Sequence, residues 1–292
     1  MAEGSSSSAV KRLLGVARRL RLTEAARVVA DHLPRRMQLR VRELRARLRA
    51  RSGEMDGLVE ALGTVVPEAE LERSYRDALA LLTERLAPGQ IGDYLEFGVF
   101  TGTSLACMHR ALEAQGLDHV RLFGFDSFEG LPEATASDDT GGVWEAGDFG
   151  APIGLTREVL RSKGVDLART TLVKGWFDDT LTEEWRAEND VHTASVIMID
   201  CDLYSSTKAA LAFCAPLIRG ATVILFDEWH PPAMNEAHVG ERRAFEEFLA
   251  AHPSLSASEL PSYRPGEAKV FLVTRNPQDP DQTRARELVQ HG

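Results

Sequence analysis

The segment Asp93-Tyr94-Leu95-Glu96-Phe97-Gly98-Val99-Phe100-Thr101-Gly102-Thr103-Ser104 constrains this chain more than any other. An apolar run ends on an acid, enters a glycine turn and passes directly into a helix, predicted from about Thr103 to Ala114. That succession is the strand–turn–helix unit of a parallel α/β sheet. Gly98 and Gly102 are expected to remove side chains that would hold a ligand away from the backbone. The free N–H groups at the start of the helix point back at the turn. Glu96 bears on the charge of the ligand. A carboxylate at the strand tip repels a pyrophosphate, so the turn suits a cationic or zwitterionic group.

The rest of the chain repeats the alternation. A helix is predicted over residues 68–87, stopped by Pro88-Gly89, and strands over 91–97, 120–126, 170–174, 195–201 and 222–227. Helices are predicted between them, near 155–163, 179–188 and 207–218, with a last one over 241–251. Alternation of this kind gives an α/β fold with a doubly wound, mostly parallel sheet. Two closing strands, 254–259 and 269–274, have no helix between them and predict an antiparallel hairpin at one edge, joined through Pro261–Gly266. With these the sheet has seven strands. The domain is expected over 89–276, after a helical lead-in at 53–88 and before a polar tail at 277–292. Residues 133–151, rich in Gly, Asp, Ser and Thr around Trp144 and Phe149, read as a lid.

The net charge of −10 conceals an asymmetry. Residues 10–51 carry 14 Lys/Arg against Glu24, Asp31 and Glu43, and residues 52–292 carry −20. Apolar positions in the basic stretch recur at helical spacing, so residues 1–52 read as a basic helical arm that packs on the core or on a second subunit. A homo-oligomer is expected on that reading. Peripheral membrane contact by the arm is the less favoured alternative, and nucleic acid is disfavoured further because no aromatic residue interleaves with the basic run. Cys107, Cys201 and Cys214 sit in apolar segments without CxxC spacing, which points away from disulfides and structural zinc and towards a reducing, cytoplasmic setting. Neither a membrane span nor a secretory apolar core is expected from the sequence.

In a doubly wound sheet the ligand lies beyond the carboxyl ends of the strands, and those ends are acidic. Asp126 closes the second strand 24 residues after Gly102, where an acid accepts hydrogen bonds from two ribose hydroxyls. Lys174-Gly175-Trp176-Phe177-Asp178-Asp179 follows the third, an aromatic and acids suited to an adenine ring. Asp200-Cys201-Asp202 ends the fourth and Asp227-Glu228 the fifth. Asp200, Asp227 and Glu228 would repel one another unless a cation lay among them, and an all-oxygen set suits Mg²⁺, with Mn²⁺ or Ca²⁺ as alternatives. Each acid has a plainer reading, as a helix cap or a solvated turn. Their succession along one edge of one sheet favours the functional one.

These residues carry a resemblance. Tyr94–Gly102, Phe125-Asp-Ser-Phe-Glu-Gly-Leu-Pro132, Lys174–Leu181, Ile199–Thr207 and Phe226-Asp-Glu-Trp229 resemble, in order and spacing, class I S-adenosylmethionine-dependent methyltransferases of the macrocin O-methyltransferase (TylF/MycF-like) family. The resemblance implies S-adenosylmethionine as cofactor. Its expected contacts are Glu96, Phe97, Gly98, Val99 and Phe100, with Gly102 and Ser104, in the first turn. From the second come Asp126, Ser127, Phe128, Glu129 and Gly130. Trp176 and Asp179 are expected against the base, and Asp200 and Cys201 beside them. It also implies magnesium at Asp200, Asp227 and Glu228. Glutamate at position 228 and the stretch 229–240 depart from the family pattern, which leaves the acceptor open.

A small-molecule acceptor bearing hydroxyl groups, a natural-product sugar above all, is the expected partner. Asp200 is the expected base and His230 a second candidate. The alternatives are N- or S-methyl transfer without metal and a cofactor-binding homologue without turnover. A nicotinamide dehydrogenase is disfavoured because residues 96–102 lack Gly-x-Gly-x-x-Gly.

Overall fold

The structure is a computed structural model and describes residues 67–87, 89–138, 144, 146–229 and 239–276. The basic arm, the lead-in as far as residue 66, His230, residues 139–143 and 145 of the lid segment, and the tail from 277 lie outside the described residues. The described residues fall in one compact unit.

Helix α1 (Glu68–Arg85) buries Leu71, Tyr75, Ala78, Leu79 and Leu82, a three-and-four spacing that puts one stripe on the core. Glu68 and Glu70 in its first turn and Arg85 in its last complement the helix dipole. Then β1 (Asp93–Phe97), α2 (Thr103–Ala114), β2 (Leu122–Asp126), α3 (Ile153–Ser162) and β3 (Thr170–Lys174) follow. The helix predicted over 179–188 is two short ones, α4 (Phe177–Thr180) and α5 (Glu183–Glu188). Thr182 leaves the helical path between them, and its Oγ1 accepts a hydrogen bond from the Trp185 N–H at 3.0 Å, restarting the helix. The chain continues through β4 (Ala194–Ile199), α6 (Tyr204–Cys214), a 3₁₀ turn at Ala215–Leu217, β5 (Ala221–Phe226), α7 (Gly240–Ala251), β6 (Leu255–Leu260) and β7 (Lys269–Arg275).

The seven strands lie in the order β3-β2-β1-β4-β5-β7-β6. The first five are parallel, and the closing hairpin is antiparallel at one edge, as its sequence predicts. The second arm of the hairpin takes the inner place. The reason is side-chain character: β7 buries Val270, Leu272 and Val273, whereas β6 leaves Ser256, Ser258 and Glu259 exposed and suits an edge. Both faces of the parallel core are covered. Tyr94 points to the face packed by α1 and α2, while Leu95 and Phe97 point to the other, where Phe97 stacks on Phe125 at 5.2 Å. Among the described residues no helix is long and apolar enough to cross a membrane.

Strand order reverses on either side of β1, so the switch point lies where β1 and β4 end. Backbone pairing continues one step past the strands there. Gly98 N–H donates to Phe125 O (3.0 Å), Gly175 N–H to Asp126 O (3.0 Å), Asp200 N–H to Phe97 O (2.9 Å) and Asp227 N–H to Ile199 O (3.1 Å). Gly98 sits at φ 89°, and a Cβ on it would lie 1.9 Å from the Asp200 carbonyl oxygen. At Gly102, φ 82°, a Cβ would lie 2.8 Å from Leu160 Cδ2. A side chain at either position would press on the β4 tip or on α3. Gly98→Ala is expected to cost at least about 2 kcal/mol in urea unfolding. By contrast Gly154→Ala, whose Cβ would meet nothing within 4 Å, should be neutral or stabilising by up to about 1 kcal/mol.

Candidate active site

The turn after β1 is held from below by the end of β2. Asp126 Oδ2 accepts hydrogen bonds from the Val99 N–H (2.7 Å) and Phe100 N–H (2.9 Å), and Oδ1 accepts from the Phe128 N–H (2.5 Å). Phe100 (φ 51°) and Phe128 (φ 55°) are both left-handed, a conformation costly for a large side chain, and the carboxylate pins both. Thr156 Oγ1 adds a hydrogen bond to Phe100 O at 2.6 Å. A carboxylate has about four acceptor positions. Asp126, expected to clasp a ribose, spends most of them shaping the turn.

Glu96 is placed deeper than its sequence position suggests. It is fully buried, with Tyr94 Oη donating to Oε2 and Ser104 Oγ to Oε1, both at 2.6 Å. The Tyr75 and Tyr94 hydroxyls pair at 2.9 Å, so the chain of hydrogen bonds reaches α1. Burial drives the Glu96 carboxyl up to about 8. The hydrogen bonds from Ser104 and Tyr94 pull it down, and the Asp126 charge pushes it further up. Among the other expected contacts, Phe97, Val99, Phe128 and Cys201 turn their side chains into the core, and Cys201 Sγ lies 3.6 Å from Thr207 Oγ1. Those residues can offer a ligand backbone only.

The second turn is locally closed. Ser127 Oγ donates to Gly130 O (2.8 Å) and accepts from the Glu129 N–H (3.1 Å), and exposed Glu129 pairs with Lys174 at 3.1 Å. Trp176 is 40% exposed, a large hydrophobic side chain left open just beyond β3, and Asp179 beside it is exposed too. Part of the segment read as a lid meets the first turn through its aromatics. Trp144 packs on Phe149 (5.7 Å), and Phe149 packs on Phe100 (6.0 Å). Backbone bonds tie Leu131 to Gly147 and Asp148 at its base. Buried Asp138 accepts from Thr135 N–H and Oγ1 and, at 2.7 Å, from the Ser205 N–H at the start of α6.

At the ends of β4 and β5 gather Asp200, Asp202, Asp227 and Glu228, joined by Glu241 of α7. Of the acids expected to hold a metal, Asp200, Asp227 and Glu228, the last two lie near a side-chain cation of the chain's own. Among the described residues no three His, Cys, Asp or Glu side chains are arranged to hold a metal ion. The cation is Arg264. Its Nη1 donates to Asp227 Oδ2 at 2.6 Å, its Nη2 lies 3.7 Å from Glu228 Oε1, and Tyr263 Oη donates to Asp227 Oδ1 at 2.5 Å. Asp200 is held well above the usual carboxylate range by burial and then by the Asp227 and Asp202 charges. Glu241 is raised in the same way by burial, Asp202, Asp227 and Glu228. Glu241 Oε2 accepts from the Glu228 N–H at 3.0 Å, while its buried Oε1 has no hydrogen-bond partner.

Sequence reasoning missed Tyr75, Tyr94, Asp138, Glu241, Tyr263 and Arg264. For Tyr94 a signal was available, since residues two apart in a strand share a face with Glu96. Arg264 lies in the connection read only as a hairpin loop, and nothing local marks it.

A family model described as macrocin O-methyltransferase (TylF) matches residues 35–252. The chain belongs to the macrocin O-methyltransferase family. A curated relative from Streptomyces olivaceus is 31% identical over 159 residues, covering 52% of this chain and 58% of the relative; it is an 8-demethyl-8-(2,3-dimethoxy-alpha-L-rhamnosyl)-tetracenomycin-C 4'-O-methyltransferase. The demethyldecarbamoylnovobiocin O-methyltransferase of Streptomyces niveus is 29% identical over 165 residues, again 52% of this chain and 58% of the relative. The matches thus span less than two thirds of these family members. Among solved structures, the O-methyltransferase NovP shares the fold with a TM-score of 0.58 at 20% identity, over 70% of this chain and 80% of that one. The calicheamicin methyltransferase CalS11 gives 0.56 at 25% identity, over 71% and 79%. The family expected from the sequence motifs, and the class I methyltransferase sheet, are both found.

In the folded chain Glu96 keeps its proton to about pH 8, against an ordinary value of 4.5. Its contribution to stability is full below the ordinary value and is lost as pH rises through the folded one. The unfolding free energy of the native chain relative to Glu96→Gln should therefore fall between these limits, by up to about 1.4 kcal/mol per pH unit, and level off above them. Urea titrations of both proteins across that range check it.

Proposed function

We propose that this chain is an S-adenosylmethionine-dependent O-methyltransferase acting on a hydroxyl of a small natural product, a sugar hydroxyl above all. The observation that carries the reading is the meeting of the glycine turn with Asp200 at the switch point, in a chain of the macrocin O-methyltransferase family. The sugar follows from the rhamnosyl group in the Streptomyces olivaceus enzyme's name.

The residues present fit the cofactor. The start of α2 has no side-chain cap, so its first N–H groups are available to a carboxylate, and the exposed indole of Trp176 is a face for a purine. Asp126 keeps acceptor capacity towards hydroxyls. Bound there, S-adenosylmethionine supplies an electrophilic sulfonium methyl. The chain supplies position and a proton acceptor. Asp200 lies at the tip of β4, half-buried, with its backbone against Gly98, and takes the proton that the acceptor oxygen loses. Trp144 and Phe149 offer an apolar wall near Phe100 that keeps water from the reacting oxygen. The acid cluster does not fit a metal as arranged, so no step runs through one.

Calorimetry with S-adenosylmethionine should show one cofactor bound per chain, weakened about tenfold by Trp176→Ala. In a turnover screen over rhamnosides and other deoxysugar glycosides, Asp200→Asn should keep cofactor affinity and lose about 10²–10⁴-fold in kcat. A chain that binds no cofactor would sink the reading; an unimpaired Asp200→Asn would remove Asp200 as base.

A further inference from the structure

We propose that Arg264 is the resident cation of the acid cluster, standing where a divalent ion would otherwise be needed, so that the pocket holds no metal in the native chain. The inference deepens the proposed function by assigning the charge balance of the same site.

The geometry is specific. Arg264 is 9% exposed and Asp227 and Glu228 are each 2% exposed, so the pair at 2.6 Å is shielded from water. Charges that deep are tolerated only when paired and hydrogen-bonded. Asp227 meets both conditions, with the guanidinium on Oδ2 and the Tyr263 hydroxyl on Oδ1. Arg264 is itself fixed by Glu267, three residues on, and by its N–H donating to Ser262 Oγ at 3.1 Å. The hairpin between β6 and β7 thus delivers a preset cation to the tip of β5.

A divalent ion at Asp227 would have to displace that guanidinium and leave it buried beside the ion, like charge against like. Its planar fork also spreads positive charge from Asp227 towards Glu228, the neutralisation that a metal would perform. Arg264 is therefore a positioning residue. It holds the β5 acids in place through its guanidinium contacts, and Asp200 remains half-buried on the β4 tip.

The test is binding of Mn²⁺ followed by electron paramagnetic resonance, and thermal unfolding with and without Mg²⁺, on the full chain. The native chain should hold no Mn²⁺ that Asp200→Asn releases, and millimolar Mg²⁺ should leave its Tm unmoved. Arg264→Met, which keeps bulk and removes charge, should gain one Mn²⁺ and a Tm rise of about 5 °C or more at a hundredfold excess of Mg²⁺ over its Kd. Should that variant fail to fold, Asp227→Asn/Arg264→Met removes both buried charges and should fold without binding Mn²⁺. One Mn²⁺ bound by the native chain and lost in Asp200→Asn overturns the proposal, as does an Arg264→Met chain that folds and gains no cation. None of these readouts depends on turnover, so a failure of the methyltransferase reading registers separately, in the cofactor calorimetry.

Discussion

The tips of β1 and β4 meet with no side chain between them, and the functional half of the molecule is arranged around that contact. Because Gly98 lies against the Asp200 carbonyl, the glycine turn and the acid cluster are neighbours instead of opposite walls of a cleft. The single backbone bonds that extend pairing past β1–β5 make the edge continuous from Gly175 to Asp227. Side chains on such an edge inherit the stiffness of the sheet, which is the condition for holding reacting groups to within a fraction of an ångström.

That edge concentrates carboxylates out of water, and the fold handles them in separate ways. Glu96 is shielded and carries its proton to about pH 8. Asp126 accepts backbone N–H groups and so stabilises strained conformations at Phe100 and Phe128. Asp227 receives a guanidinium and a phenol. Identical chemistry at neighbouring strand ends therefore yields an acid, an anchor and an ion pair, set by what surrounds each group.

The sequence made much of this legible and left part of it hidden. The strands, the α2 boundaries and the closing hairpin follow from periodicity and glycine placement, which are local signals. The family followed from strand-end motifs in the right order. Partners supplied from far along the chain were not visible. Asp227 and Arg264 are 37 residues apart, and only the antiparallel return of β7 beside β5 brings the guanidinium in. The same limit hid Glu241, which α7 carries back to Glu228, and Asp138, which reaches the start of α6. Glu96 stood out in the sequence as an acid at a glycine turn, yet its depth depended on Tyr94 and Ser104 closing over it.

Helix α1 has a further consequence, for anyone choosing where to cut the gene. A fragment starting at β1 would look complete by its strand pattern. It would nonetheless strip Leu71, Tyr75, Leu79 and Leu82 from one face of the sheet and open the Tyr94 hydroxyl, and through it Glu96, to solvent. Such a fragment would carry an acid with a different charge at neutral pH under its turn. The smallest piece with the native site chemistry starts no later than residue 67.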